Sequence, residues 1–369
     1  MTSKERIKRL IERKEIDKIP IGFYVVDYDI IEKVIGRPTY VRNKVKTQIA
    51  LWEGRRKEVA ESYKNDSVDF FKKINCIDIL TFKEAAFLPP KDYIPPKMIK
   101  IDEKTYKDEN GGIYKISELT NEITCVYNPV KQEVKIEDFT SDMFKFDKNN
   151  IKKPDESIFE AFDYLIEKFK DEKFILGPCG GFIGITLIGG WEVGMMMYVL
   201  KPDVIQAANE VSLQYQNIND EYWIRKGQDG VLVENDMAGT KGPFISPESF
   251  RRYCFPYIKR RVENIKKHIP FVFLHNCGNN IPLMDMFIEA GIDVYQSLQT
   301  NAGMDIEFLS ERFGEKIIFW GGISTEILIN GTIDDVRKNV RKFIEKVKKK
   351  NLRIIFGPSH SIAYGTRYD

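Results

Sequence analysis

Apolar runs that end on a turn recur along this chain, and helical spacing fills the gaps between them. The run Phe271-Val272-Phe273-Leu274 passes straight into His275, Asn276, Cys277 and Gly278. A run of that length bounded by a turn predicts a strand buried on both faces. Similar runs predict strands at 19–26, 76–81, 174–177, 230–236, 293–296, 316–322 and 352–357. Amphipathic spacing predicts helices over 4–15, 42–63, 189–200, 202–226, 281–289, 304–312 and 333–349. Another helix, from Ser246 to about Lys267, opens with Ser246 as its cap and Pro247 in its first turn.

Strands that alternate with helices imply a parallel sheet with right-handed crossovers. Eight such units close most simply into a (β/α)8 barrel, an α/β fold of the TIM type. The other arrangement is an open doubly wound sheet, but no Gly-x-Gly-x-x-Gly follows the first strand. Residues 88–150 break the rhythm. Pro89, Pro90, Pro95 and Pro96 interrupt regular structure, and Asp108-Glu109-Asn110-Gly111-Gly112 sits as a turn between two alternating segments. This predicts a β-hairpin region inserted in the N-terminal third of one domain spanning 1–369.

Composition narrows the class. A chain of 369 residues can bury a large core, and 43% apolar with 30% charged residues is ordinary for a globular protein. A net charge of +2 gives no reason to expect nucleic acid or an acidic membrane as partner. The lysines between Lys342 and Lys350 read as a solvated helix face. No apolar run approaches the roughly 20 residues that span a bilayer. The five cysteines form no Cys-x-x-Cys pair, which points to a reducing compartment. The start, Met1 to Arg6, is a charged amphipathic helix and not a signal peptide. The expectation is a cytoplasmic protein.

In a barrel the chemistry gathers where the strands exit. Those exits bring Tyr24 and Asp27, then Cys179 with Gly180 and Gly181, then Glu234 and Asp236. The later exits bring His275, Cys277 and Asn279, then Gln296, then Gly321-Gly322, and finally Ser359-His360. The chain has three histidines, and the third, His268, lies in a basic helix end and reads as solvated. Two histidines, a cysteine and one or two carboxylates on one rim suit a zinc ion with three protein ligands and an open or carboxylate-filled fourth place. Other residues have two readings. Glu234 and Asp236 either take part in the chemistry or hold the following loop. Met195, Met196 and Met197 either pack the core or line an apolar pocket. Trp191 either lines that pocket or packs under the insertion. Cys76, Cys179 and Cys254 read as small buried hydrophobes.

The chain from Glu234 to Gly357 resembles the uroporphyrinogen decarboxylase superfamily, which includes the zinc-dependent cobalamin methyltransferases. The matching pieces are Gly242-Pro243-Phe244-Ile245-Ser246-Pro247-Glu248, Phe255-Pro256-Tyr257 and Leu274-His275-Asn276-Cys277-Gly278-Asn279. They continue with Glu289-Ala290-Gly291-Ile292-Asp293, Trp320-Gly321-Gly322-Ile323, Asn330-Gly331-Thr332 and Gly357-Pro358-Ser359-His360. Weaker matches at Asp17-Lys18-Ile19-Pro20 and at Asn110 to Tyr114 extend the resemblance over nearly the whole chain. It implies a (β/α)8 barrel. The decarboxylase branch carries an arginine-rich segment after its first strand. Here that region reads Phe23-Tyr24-Val25-Val26-Asp27-Tyr28-Asp29, with no arginine.

The resemblance to the methyltransferase branch implies zinc held by His275 and Cys277, with His360 where that branch commonly has a second cysteine. One thiolate in place of two would leave zinc more electrophilic, suited to an oxygen nucleophile or a tetrahydrofolate-type acceptor. The implied reaction moves a methyl group between a corrinoid and a small thiol, methoxy or methylamine compound. No Asp-x-His-x-x-Gly surrounds any histidine, so the cobalamin would arrive on a separate protein. Glu234 would fill the fourth zinc place at rest, with Asp236 and Asn279 orienting the ligands. Tyr24, Asp27, Trp191, Met196 and Gln296 would contact substrate. The alternatives are a metal-free decarboxylase acting on a smaller acid and a non-catalytic barrel that binds a corrinoid protein.

Overall fold

A computed structural model of the chain describes residues 1–130 and 134–369. Seven parallel strands form one curled sheet: Ile79–Leu80, Phe174–Gly177, Gly230–Glu234, Phe271–His275, Val294–Gln296, Ile318–Ile323 and Ile354–Pro358. Each pairs with the next in chain order, the pattern of a TIM-like sheet. The expected first strand closes the ring through two parallel bridges, Ile21 to Phe356 on one side and Gly22 to Ile79 on the other. It is shorter than the predicted 19–26 because the backbone bends at Tyr24. Gly22 is required at the closure. A Cβ there would lie 2.8 Å from the Trp320 indole, whose Nε1–H donates to the Gly22 carbonyl at 2.9 Å.

Side-chain parity decides which residues enter the barrel, since successive strand residues point to opposite faces. Leu232, Phe273, Val294, Ile318, Trp320 and Ile355 pack together inside. Val231, Val233, Val272 and Leu274 face the other way and pack under the helices. Two residues beyond Leu232, Phe273 and Val294 stand Glu234, His275 and Gln296, aligned in register as the layer at the strand exits. Ile7 and Leu10 of the helix Ser3–Ile11 join the inner cluster from the opposite end. Arg6 ties that helix down by donating to Asp78 at 2.5 Å, and Asp78 also accepts the Ile21 N–H.

The expected hairpin region contains a four-stranded antiparallel sheet of Met98–Lys100, Thr105–Asp108, Ile113–Ser117 and Glu122–Tyr127. The Asp108 carboxylate caps the predicted turn by accepting the N–H groups of Asn110 and Gly112. Residues 131–133, within the expected span of 88–150, lie outside the described residues. Two helices that the sequence reading passed over, Tyr28–Ile35 and Glu160–Phe169, are amphipathic and bury Ile30, Ile31, Phe162 and Leu165. The helix expected over 246–267 is two, Pro247–Tyr253 and Phe255–His268. Pro256 lacks the N–H that would carry one helix through, so the ladder breaks at Cys254. Among the described residues no helix is long and apolar enough to cross a membrane.

Outside the barrel, Arg261 is fully buried and donates to both oxygens of Asp220 at 2.5 Å. Asp220 also accepts the Gly180 N–H at 2.9 Å, so the pair fixes the exit loop after Phe174–Gly177. Arg261→Ala strands a buried carboxylate and is expected to lower unfolding free energy by about 3–5 kcal/mol. Arg260→Ala, which removes an exposed pair with Glu210, is expected to cost under about 1 kcal/mol. Urea denaturation of the two variants checks the contrast.

Candidate metal centre

The strand Phe271–His275 ends in a loop that turns sharply at Gly278, whose φ is +84°. A Cβ at this position would lie 2.3 Å from the Ala238 carbonyl, so a side chain cannot be accommodated. Asn276 and Asn280 brace the loop from within, both fully buried, their amides exchanging hydrogen bonds at 3.1 Å. Asn280 also donates to the Cys277 carbonyl at 2.7 Å, and the Cys277 N–H donates to Asp236 Oδ1 at 2.8 Å. The backbone that carries the thiol is therefore fixed on both sides.

His275 is held from two directions. Its Nδ1 faces Gln296 Oε1, and Gln296 Nε2 donates to the Ser359 carbonyl at 3.2 Å. That second bond fixes which end of the Gln296 amide is the acceptor, so Nδ1 carries the proton and Nε2 keeps its lone pair. The Tyr24 ring stacks on the imidazole at 4.0 Å and 2°. The same ring meets His360 edge-on at 5.5 Å. Nε2 of His275 then lies 3.5 Å from the Cys277 sulfur.

His275, Cys277 and His360 each offer a ligand atom, all within 4.8 Å of one another. With Zn–N of about 2.0–2.1 Å and Zn–S of about 2.3 Å, tetrahedral geometry puts a nitrogen and a sulfur ligand about 3.6 Å apart. The observed nitrogen–sulfur spacing fits that edge, and the donor types fit zinc.

Electrostatics point the same way for the imidazoles. Burial pushes the His275 imidazole down to about 4 and lowers that of His360, so both rings are neutral donors at neutral pH. Burial pushes the Cys277 thiol up to about 11, and Asp236 pushes in the same direction. Such a thiol stays protonated until a cation takes the proton's place.

The remaining expected residues divide. Glu234 reaches this rim, but its Oε1 accepts from the Tyr24 hydroxyl and its Oε2 from Lys83 Nζ at 2.5 Å. Burial, with Glu234 alongside, holds the Tyr24 phenol well above its usual range, so it remains a donor. Asp236 holds Cys277. Asn279 braces the turn, accepting the Ile281 N–H at 3.3 Å. Asp27 accepts from Arg42 Nη2 at 3.0 Å and from the Tyr364 N–H at 3.0 Å, tying the first strand exit to the C-terminal segment. A cleft of about 480 Å³ opens there, lined among others by Tyr24, Asp27, Arg42, Lys83 and His360. Trp191 and Met196 are not drawn in. Trp191 is 56% exposed and sits edge-on to Phe244, and Met196 is 46% exposed.

Sequence reading missed Lys83, Arg42, Asn276 and Asn280. Lys83 stands three residues past Leu80, at the one strand exit that the sequence reading left blank. Arg42 lies on a loop far from any strand, with a φ of +60°, and no local pattern marks it.

Residues 126–369 match the family described as uroporphyrinogen decarboxylase (URO-D), and the chain belongs to that family. Among curated proteins it is similar to the methylcobamide:CoM methyltransferase MtbA of Methanosarcina acetivorans, 21% identical over 188 residues. The same-named protein of Methanosarcina mazei is 20% identical over 189 residues. Both matches take in 51% of this chain and 54% of the relative, so the chain spans about half the length of the curated relatives it matches. Among solved structures it is similar in fold to a methyltransferase from Methanosarcina mazei, with a TM-score of 0.61 and 14% identity. That superposition covers 100% of this chain and 95% of the other.

Gln296→Met removes the acceptor that fixes the His275 tautomer. Zinc affinity, measured by competition with a chelator, is expected to fall about 10–100-fold.

Proposed function

We propose that this chain is a zinc-dependent methyltransferase that moves a methyl group between a corrinoid carried on a separate protein and a small acceptor or donor. The observation that carries the reading is the convergence of His275, Cys277 and His360 on the barrel rim. Membership of the URO-D family and the similarity to methyltransferases support it. Zinc bound there would lower the pKa of a coordinated thiol or hydroxyl, or polarise a methoxy or methylamine group.

The chain's own residues prepare that place. Gln296 and Tyr24 hold the His275 ring, and Asp236 holds the Cys277 backbone. Glu234, Asp236 and Asn279 form the polar surround. Tyr24 and Asp27 border the substrate, Gln296 stands fully buried behind His275 rather than against substrate, and Trp191 and Met196 belong to the exposed outer wall. With one thiolate among three ligands, the zinc would be more electrophilic than in a two-thiolate site. That favours a harder acceptor, an oxygen nucleophile or a tetrahydrofolate-type amine. On this proposal residues 1–369 act as one barrel domain with a β-rich insertion, and the scattered cysteines point to the cytoplasm.

A second reading, metal-free decarboxylation, draws on Arg42 and Lys83 in the cleft. Each is already paired with a carboxylate, which leaves little positive charge for an acidic substrate.

Protein purified without a metal-chelating tag is expected to contain about one equivalent of zinc, lost in His275→Ala and in Cys277→Ala. Wild type is expected to demethylate methylcobalamin with a suitable acceptor, and both variants to fall by about two orders of magnitude or more. Metal analysis and the cobalamin absorbance change check this. Wild-type protein that takes up no zinc would overturn the proposal and direct the search to decarboxylation.

A further inference from the structure

We propose that Lys83 holds the Glu234 carboxylate away from the face where His275, Cys277 and His360 converge, keeping the fourth coordination place free for substrate. This rests on the metal-centre reading above and replaces the sequence-based expectation that Glu234 fills that place at rest.

Glu234 is the register partner of His275 on the neighbouring strand and shares its inward parity. A carboxylate so placed is the natural fourth ligand of a site with three protein donors. Both its oxygens are nevertheless engaged elsewhere. The Tyr24 hydroxyl takes Oε1, and Lys83 takes Oε2 at 2.5 Å.

Lys83 comes from the exit of Ile79–Leu80, and the Phe174–Gly177 strand lies between that strand and Gly230–Glu234. Its side chain must therefore reach past one whole strand to meet Glu234. The two side chains are 21% and 28% exposed, so the pair is partly withdrawn from water and its attraction is stronger than that of a surface pair. Lys83 and a bound dication would compete for one carboxylate. Without the ammonium, Glu234 would keep only the neutral Tyr24 hydroxyl, and the metal would become its nearest cation.

The test uses full-length protein loaded with Co(II), whose visible bands report the number and type of ligands. Lys83→Met is expected to change those bands and to slow metal loss to a chelator by about tenfold. Lys83→Arg, which keeps a cation, is expected to retain the wild-type bands. The double variant Lys83→Met/Glu234→Gln is expected to return to them. Glu234→Gln alone is expected to leave the bands unchanged, and it decides the matter if Lys83→Met fails to fold. Altered bands in Glu234→Gln would overturn the proposal, because Glu234 would then already be a ligand. Unaltered bands and metal loss in a folded Lys83→Met would also overturn it, with the metal centre left intact. A wild-type protein that takes up no Co(II) would instead remove the metal reading, and this inference with it.

Discussion

Closure of the parallel sheet is the constraint on which everything else depends. The short segment at Ile21 and Gly22 touches Phe356 on one side and Ile79 on the other, and so joins the two ends of the sheet. The join is tight. Gly22 lies under the Trp320 indole, and a Cβ at Gly357 would sit 1.9 Å from the Gly22 carbonyl. Two glycines and one tryptophan thus let three segments of very different sequence position share one wall. Because of that closure Tyr24, two residues on, can stack on His275, and His360 can meet both.

The rim that results is a desolvated one. His275 is 5% exposed, and burial keeps both imidazoles neutral and the Cys277 thiol protonated. The neutral His275 imidazole, its Nδ1 pinned by Gln296, is a prepared donor that needs no reorganisation. The buried thiol is the opposite case, since it needs a cation to ionise. Metal uptake at this site would therefore release a proton. Two acidic neighbours, Glu234 and Asp236, add negative potential, but each is already engaged, one with Lys83 and Tyr24 and the other with the Cys277 backbone.

Much of this was legible in the sequence, and the boundary is physical. Buried strands announce themselves as apolar runs, and Phe174–Gly177 and Phe271–His275 fall where those runs lie. Strand parity carries His275, Glu234 and Gln296 inward from Phe273, Leu232 and Val294. The three candidate ligands could be named because histidine is scarce here and two of three follow strands. The helix Tyr28–Ile35 is legible too, since Ile30, Ile31 and Ile35 share its buried face. What no local pattern could supply are the contacts between distant exits. The bond from Gln296 to His275, the reach of Lys83 to Glu234 and the pairing of Arg42 with Asp27 exist only once the ring is closed. The helix Trp191–Leu200 carries apolar residues on nearly every face, so sequence alone does not tell its buried side from the exposed side where Trp191 and Met196 lie.

X-ray absorption at the zinc edge reads the ligand set itself. On zinc-loaded protein one sulfur at about 2.3 Å and two imidazole nitrogens at about 2.0–2.1 Å are expected, the sulfur vanishing in Cys277→Ala. A zinc shell without sulfur, or one unchanged in Cys277→Ala, would place the metal away from His275, Cys277 and His360.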